Sequence, residues 1–327
     1  MNRLKDKIRI GIIGCGRVAE NHVLAIRQCP GTELTAVAGG RNADTFAREH
    51  GVLLLDRDEI CSSDQVDAVI ICTPPQYHFH YTSLALEHGK HVLVEKPVSF
   101  DELEIIKMQE LADRNGLVCM PGHSYLYLPE LKRIKRVMER GGIGKAAYLY
   151  LSECYYMPEE LFSKYEGPAE DVLCHQLYLS IAYLGLPRKI SAFTAKFDKE
   201  TIPTGGPQIS VNMRYDSGAL LQIMLSWAVN DESSDPMTFK VKLMGSGGCL
   251  NFSRRDYMVK YPGGYDQAMY QEMFDCQLDY FINRCIAEKA EPLSTLEDAR
   301  WVTKLHNMVL EAARDEKVIT VEKCEEN

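Results

Sequence analysis

The chain has 327 residues, 46% of them apolar and 25% charged, with a formal net charge of −9. That balance gives a folded protein with room for two domains of ordinary size and excludes a fibrous or disordered chain. The acidic surplus argues against nucleic acid or anionic lipid as partners, and no apolar run approaches the roughly 18 residues that span a membrane, so a small molecule is the expected partner.

The stretch Met1–Lys7 leads into a short apolar strand rather than a signal peptide, which places the expected location in the cytoplasm. Eleven cysteines, an odd number without a C-x-x-C pair, read as reduced thiols, with Cys72, Cys119 and Cys174 in apolar segments. Cys174 and His175 do not make a nucleophilic dyad, because adjacent helical residues point about 100° apart.

Short apolar runs at Ile8–Ile13, Glu33–Ala38, Val52–Leu55, Val66–Cys72, His91–Glu95 and Leu117–Met120 read as strands. Between them Val18–Gln28, Asn42–His50, Tyr77–His88 and Asp101–Asn115 carry helical spacing, with Ser99 and Glu102 as a capping box before the last. This alternation predicts a doubly wound α/β domain on a parallel sheet over residues 1–123.

From 124 to 327 the pattern is α+β. A helix at Glu130–Arg140, a strand at Ala146–Glu153 and a helix near Asp171–Leu184 precede strands at Lys189–Phe197, Gln208–Tyr215, Leu220–Ala228 and Thr238–Met244. These predict a large open, mostly antiparallel sheet, followed by helices near Gln267–Glu288 and Leu296–Asp315. An open sheet must cover its outer face, and a second copy of the chain does so economically, so a homodimer or homotetramer is expected.

The first strand runs into Gly14-Cys15-Gly16-Arg17-Val18-Ala19, a G-x-G-x-x-A at the start of a helix. Gly14 permits the tight turn, Gly16 lets a pyrophosphate approach the backbone, and Ala19 keeps helix and sheet close, while the helix N-terminus favours the anion. The bland alternative is a glycine turn used for packing. A nucleotide-triphosphate loop is excluded, because no Lys-Ser or Lys-Thr pair follows.

Two further segments, Val69-Ile70-Ile71-Cys72-Thr73-Pro74-Pro75-Gln76-Tyr77-His78 and His91-Val92-Leu93-Val94-Glu95-Lys96-Pro97, make the chain resemble the Gfo/Idh/MocA oxidoreductases over essentially its whole length. The resemblance implies a Rossmann domain followed by a substrate domain on a large open sheet. It also implies NAD(P) as cofactor and a sugar, cyclitol or polyol as substrate. Thr73, Pro74 and His78 are then expected beside the cofactor, Lys96 at the nicotinamide and the substrate hydroxyl, and Glu95 as a supporting group. From chemistry alone, a lysine at the carboxyl end of a parallel strand sits where such sheets bind ligands, and a lowered pKa there would let it exchange a proton. Without the motif, Lys96 and Glu95 read as solvated surface groups.

Asp171 and His175 resemble the family's D-x-x-x-H signature, and a spacing of four puts both on one helix face. His175 is then a candidate base oriented by Asp171, the alternative being a polar pair that only stabilises the helix. Two departures blur the substrate: Tyr165-Glu166-Gly167-Pro168-Ala169-Glu170 replaces the family's glycine run, and Leu126 stands near a position that often carries arginine.

His78 and His80, two apart on a helix, face different sides, so no metal site is expected. His22 lies near the glycine turn without an assigned role.

At the end of the second strand, Ala38-Gly39-Gly40-Arg41 offers no acid to the ribose hydroxyls. Gly40 and Arg41 therefore join the expected cofactor site, with Arg41 placed to pair with a 2′-phosphate, which favours NADP without excluding NAD. The alternative leaves Arg41 a solvated residue at a helix start. The expected activity is hydride transfer at a hydroxyl or ketone carbon. An NAD-dependent glycosidase using transient oxidation and a non-catalytic dinucleotide-sensing regulator are the alternatives, the second disfavoured by the retained Lys96, Asp171 and His175.

Overall fold

The computed structural model describes residues 7–155, 167–198, 206–229, 238–253, 258–261 and 264–322. The chain divides into two units, one over Met1–Leu128 and Met269–Thr303, the other over Pro129–Ala268 and Lys304–Asn327.

In the first unit, strands β1 (Ile8–Ile13), β2 (Thr32–Ala38), β3 (Leu53–Leu54), β4 (Ala68–Ile71), β5 (His91–Val94) and β6 (Cys119–Pro121) form one sheet in the order β3-β2-β1-β4-β5-β6. Every neighbouring pair is parallel. The strands read as continuous apolar runs because helices cover both faces: Ile10, Ile12, Ile13, Ile70, Ile71, Val92 and Val94 are all fully buried. Those helices are α1 (Arg17–Gln28), α2 (Ala43–His50), α3 (Arg57–Ser62), α4 (His78–Glu87) and α5 (Glu102–Asn115).

The expectation of a doubly wound parallel sheet is met, with local differences. The edge strand β3 is two residues long, with Leu53 and Leu54 both exposed. Helix α3, absent from the sequence reading, starts at a capping box of Asp56 and Glu59. The cap of α5 is Asp101, whose carboxylate accepts Leu103 N–H at 2.9 Å, rather than Ser99. Ser99 Oγ instead pairs with Glu104 and accepts the Asp101 N–H at 3.0 Å, so the expected Ser99–Glu102 box does not form.

The second unit contains α6 (Pro129–Glu139), β7 (Ala146–Cys154), α7 (Pro168–Asp171), α8 (Leu173–Leu184), β8 (Lys189–Phe197), β9 (Gly206–Arg214), β10 (Leu220–Ser226), β11 (Thr238–Gly245), β12 (Gly248–Ser253), a hairpin of β13 (Met258–Tyr261) and β14 (Gly264–Gln267), and the short β15 (Ile319–Thr320). Its seven-stranded sheet has the order β12-β11-β7-β10-β9-β8-β15.

The pairs are antiparallel, as expected, with one exception: β7 and β10 run parallel, with Leu151 opposite Ile223. A parallel neighbour needs a long crossover, and the chain between β7 and β10 supplies one that includes α8. Helix α8 is apolar nearly all round and buried. Along β10, Leu221, Ile223 and Leu225 are buried while Leu220 is exposed.

The closing helices are α9 (Ala268–Asp279), continued by a π-helical segment Tyr280–Ile286, and α10 (Leu296–Arg314). Leu296 and Ala299 join the core of the first unit. Among the described residues no helix is long and apolar enough to cross a membrane.

Candidate active site

In the first unit β1 lies between β2 and β4, the point where strand order reverses and a crevice opens beyond the carboxyl ends of the strands. The turn from β1 to α1 is pressed into this crevice. Gly14 has φ +103°, and a Cβ there would lie 2.6 Å from the Cys72 carbonyl and 2.8 Å from Thr73 N, so no side chain fits. The N–H groups of Gly14 and Cys15 are taken by Ala38 O at 2.7 Å and Gly39 O at 3.0 Å. Cys15 Sγ sits 3.8 Å from Ala38 O, and burial pushes its thiol up to about 11, which makes it a packing group and no nucleophile.

Gly16 caps α1 without any side-chain hydrogen bond, and a Cβ on it would meet nothing within 4 Å. Arg17 beside it is exposed and Val18 half-buried. The first turn of α1 thus presents unspent N–H groups to open space, the arrangement that receives an anion.

Thr73 and Pro74 follow β4 at the same sheet edge. The Thr73 hydroxyl oxygen is buried and has no hydrogen-bond partner among the described residues. An orphaned buried hydroxyl costs free energy unless a ligand satisfies it. His78, fully buried, faces away from open space: its Nδ1 lies 2.9 Å from Pro97 O and its Nε2 2.8 Å from Thr73 O. Burial holds this imidazole below its usual pKa, the two carbonyls opposing the shift. Its place is behind the loops after β4 and β5, which it ties together.

Glu95 ends β5 with its N–H on Ile71 O at 3.0 Å. One carboxylate oxygen meets His22 Nε2 at 2.8 Å and the other accepts the Lys96 N–H at 3.2 Å. His22 is wholly buried, edge-on to Phe274 at 5.0 Å between ring centroids. The histidine near the glycine turn therefore supports the Glu95–Lys96 bend instead of reaching for a phosphate. Lys96 is half-buried.

At the far side of the crevice, Gly40 (φ +104°) packs 3.1 Å from Cys15 N, measured from the Cβ it lacks. The Arg57 side chain lies over Gly39. Arg41 and Arg57 are both exposed, and neither makes an ion pair or side-chain hydrogen bond among the described residues. Arg57 escaped the sequence reading; a cation opening a short helix carries no signal until the fold sets it over the end of β2.

In the second unit the Asp171 and His175 segment is not one continuous helix. The helix breaks at Val172, between α7 and α8, and His175 N–H reaches Val172 O at 2.9 Å. Val172 itself keeps helical dihedral angles (φ −103°, ψ −31°), so Asp171 and His175 flank a tightened turn.

His175 is buried, and its Nδ1 lies 2.7 Å from Tyr178 Oη, a partner the sequence reading missed. A tyrosine three residues after a histidine on a helix is the signal that was there to find. Cys174 Sγ turns to Asp171 O at 3.7 Å, away from any dyad with His175. Gln176 donates to buried Glu153 at 3.0 Å, and His306 meets Ala169 O at 2.9 Å, bracing α7 and α8. Of the unusual segment 165–170, Tyr165 and Glu166 lie outside the described residues, while Pro168–Asp171 forms α7.

A model of the oxidoreductase family with an NAD-binding Rossmann fold matches residues 8–123, and one of the GFO/IDH/MocA C-terminal domain matches residues 131–251. Oxidoreductase P35 of Formosa agariphila is 26% identical, over 92% of this chain and 98% of its own. The scyllo-inositol 2-dehydrogenase (NADP(+)) IolU of Bacillus subtilis is 28% identical, over 57% of this chain and 61% of its own. The crystal structure of scyllo-inositol dehydrogenase from Lactobacillus casei with bound NAD(H) and scyllo-inositol superposes with a TM-score of 0.81 at 18% identity, over 96% of this chain and 99% of that one.

Proposed function

The chain belongs to the Gfo/Idh/MocA oxidoreductases, and on that premise we propose that it transfers hydride between NADP and a hydroxyl or ketone carbon of a cyclitol, sugar or related polyol. The observation that carries this reading is the pairing, at the switch point of the sheet, of an uncapped α1 N-terminus with the orphaned Thr73 hydroxyl, one strand away from Lys96. Both features fit a dinucleotide, which when bound supplies the hydride chemistry at its nicotinamide ring.

Gly14 lets the turn sit against β4, while Gly16 and the N–H groups of Arg17 and Val18 would hold the pyrophosphate. Thr73 Oγ1 and Pro74 would serve the nicotinamide half, and His78 fixes their loop from behind. Glu95 holds the Lys96 backbone, and Lys96 Nζ exchanges the proton of the substrate oxygen. In the second unit, His175, held through Nδ1 by Tyr178 Oη, is the base for the substrate oxygen, and Asp171 supports it.

The lack of an acid after β2, together with the exposed Arg41, supports NADP over NAD, and the relative from B. subtilis is named for that cofactor. Cyclitols are the favoured substrates because two of the similar proteins are named for scyllo-inositol. The open face of the second sheet, with Phe193 60% and Leu220 49% exposed, supports a homo-oligomer.

The test is dissociation constants for NADPH and NADH, followed by turnover of inositol isomers, open-chain polyols and aldoses with each cofactor. Turnover of a cyclitol or sugar is expected. NADH binding as tight as or tighter than NADPH would defeat the NADP preference. Tight dinucleotide binding without turnover across the panel would point to a dinucleotide-sensing regulator.

A further inference from the structure

We infer that Arg57 determines dinucleotide specificity, as a second guanidinium that joins Arg41 on the ribose 2′-phosphate; this rests on the NADP reading above and extends it to a residue outside the β2–α2 turn. The two arginines are 16 positions apart in sequence, and the fold brings both to one place. Ala38, the last residue of β2, is in register with Ile13, the last of β1, so Gly39 is the first residue beyond the sheet edge. Gly40 packs against Cys15 N in the glycine turn. Arg41 continues from this turn.

Arg57, the first residue of α3, reaches the same turn from the other side. Its Nε lies 2.5 Å, and its Cδ and Cγ 3.1 Å, from where a Cβ of residue 39 would be. Gly39, at φ +69°, thus leaves room for the Arg57 side chain.

The charges around Arg57 also need explaining. The chain is acidic overall, yet among the described residues no acid pairs with this arginine. Asp56 and Glu59 are spent in the capping box of α3, Asp58 meets His80 at 3.4 Å, and Asp44 pairs with Arg48 at 2.8 Å. The first turn of a helix is also where a cation gains least from the peptide dipoles. Two exposed arginines, neither paired with an anion among the described residues, therefore belong to the loop after β2 (Arg41) and to a side chain lying over it (Arg57), where an NAD-type domain keeps an acid. Any side chain at residue 39 would require the Arg57 side chain to move from its present position, and an acid there would take up its charge. A phosphate monoester dianion is the ligand chemistry that satisfies both, each guanidinium offering forked N–H donors.

The test titrates the full chain by calorimetry with 2′,5′-ADP and with 5′-AMP, which share the adenosine and carry no nicotinamide, for the unaltered chain, Arg57→Ala, Arg57→Lys and Arg41→Ala. Loss of a charge-assisted fork predicts that Arg57→Ala weakens 2′,5′-ADP about tenfold or more and 5′-AMP less than about twofold, with Arg57→Lys in between. Since Arg57 is exposed, the variants should melt with the unaltered chain. Equal weakening of both nucleotides would make Arg57 an adenine-stacking group and overturn the inference, as would an unchanged 2′,5′-ADP affinity. If the unaltered chain binds NADH but neither NADPH nor 2′,5′-ADP, the NADP reading and this inference fall together; if it binds no dinucleotide, the oxidoreductase reading falls as well.

Discussion

Replacing His22 with alanine removes the buried partner of Glu95 at the bend that carries Lys96. The imidazole is wholly inaccessible, hydrogen-bonded to Glu95 at 2.8 Å and packed edge-on against Phe274. Deleting one member of a buried pair costs about 3–5 kcal/mol, because the other is left desolvated. Glu95 keeps one bond, from the Lys96 N–H at 3.2 Å, which favours the lower end. A loss of about 3 kcal/mol lowers the melting temperature of a unit of this size by roughly 10 °C.

Glu95→Gln retains the shape and an acceptor for Lys96 N–H, so it should cost only about 1 kcal/mol. Urea unfolding followed by circular dichroism, with a cycle of His22→Ala, Glu95→Ala and the double variant, measures the coupling. A loss below about 1 kcal/mol for His22→Ala, or single losses that simply add, would show that the pair does not hold the bend.

His123, buried against Ser294 Oγ at 2.7 Å, is pushed by burial down to about 3, so the unfolded chain takes up a proton on acidification before the folded one does. Stability should therefore fall by about 2 kcal/mol between pH 7 and pH 5 from this group, and His123→Gln should flatten the urea-midpoint curve by that amount; an unchanged slope would mean the ring protonates in place. Lys96→Ala should abolish turnover while NADPH affinity stays within about threefold, and near-normal turnover would remove Lys96 from the chemistry. His175→Ala should lower turnover more than Asp171→Asn or Tyr178→Phe, a reversed order marking Asp171 as the proton acceptor. Phe193→Lys should dissociate the expected oligomer in light scattering; an unchanged mass would place the contact elsewhere.

Much of this was legible because the signals are local. A strand running into Gly14-x-Gly16 states its turn in a few residues, and the apolar runs of β1, β4 and β5 announce burial on both faces. The parallel pairing of β7 with β10 was not legible, since neither strand's composition records its neighbour's direction. The break at Val172 was hidden because α8 is apolar nearly all round, so a change of phase leaves no trace in the periodicity. The Asp101 cap was missed because Ser99 and Asp101 both have cap chemistry, and tertiary packing chose between them. Tyr178, His22 and Arg57 acquire their meaning from contacts that only the folded chain makes.

The His78 ring, bridging Thr73 O and Pro97 O, has a consequence for anyone recombining this protein with its relatives. The loops after β4 and β5 are separate segments of the gene but one mechanical part of the protein. A graft that exchanges Glu95-Lys96-Pro97 alone would strand a buried imidazole opposite a foreign backbone, whereas a crossover carrying residues 73–97 as a cassette transfers clamp and both jaws together. Libraries of chimeras should accordingly show inheritance of the two loops as a block, with viable breakpoints falling outside that interval.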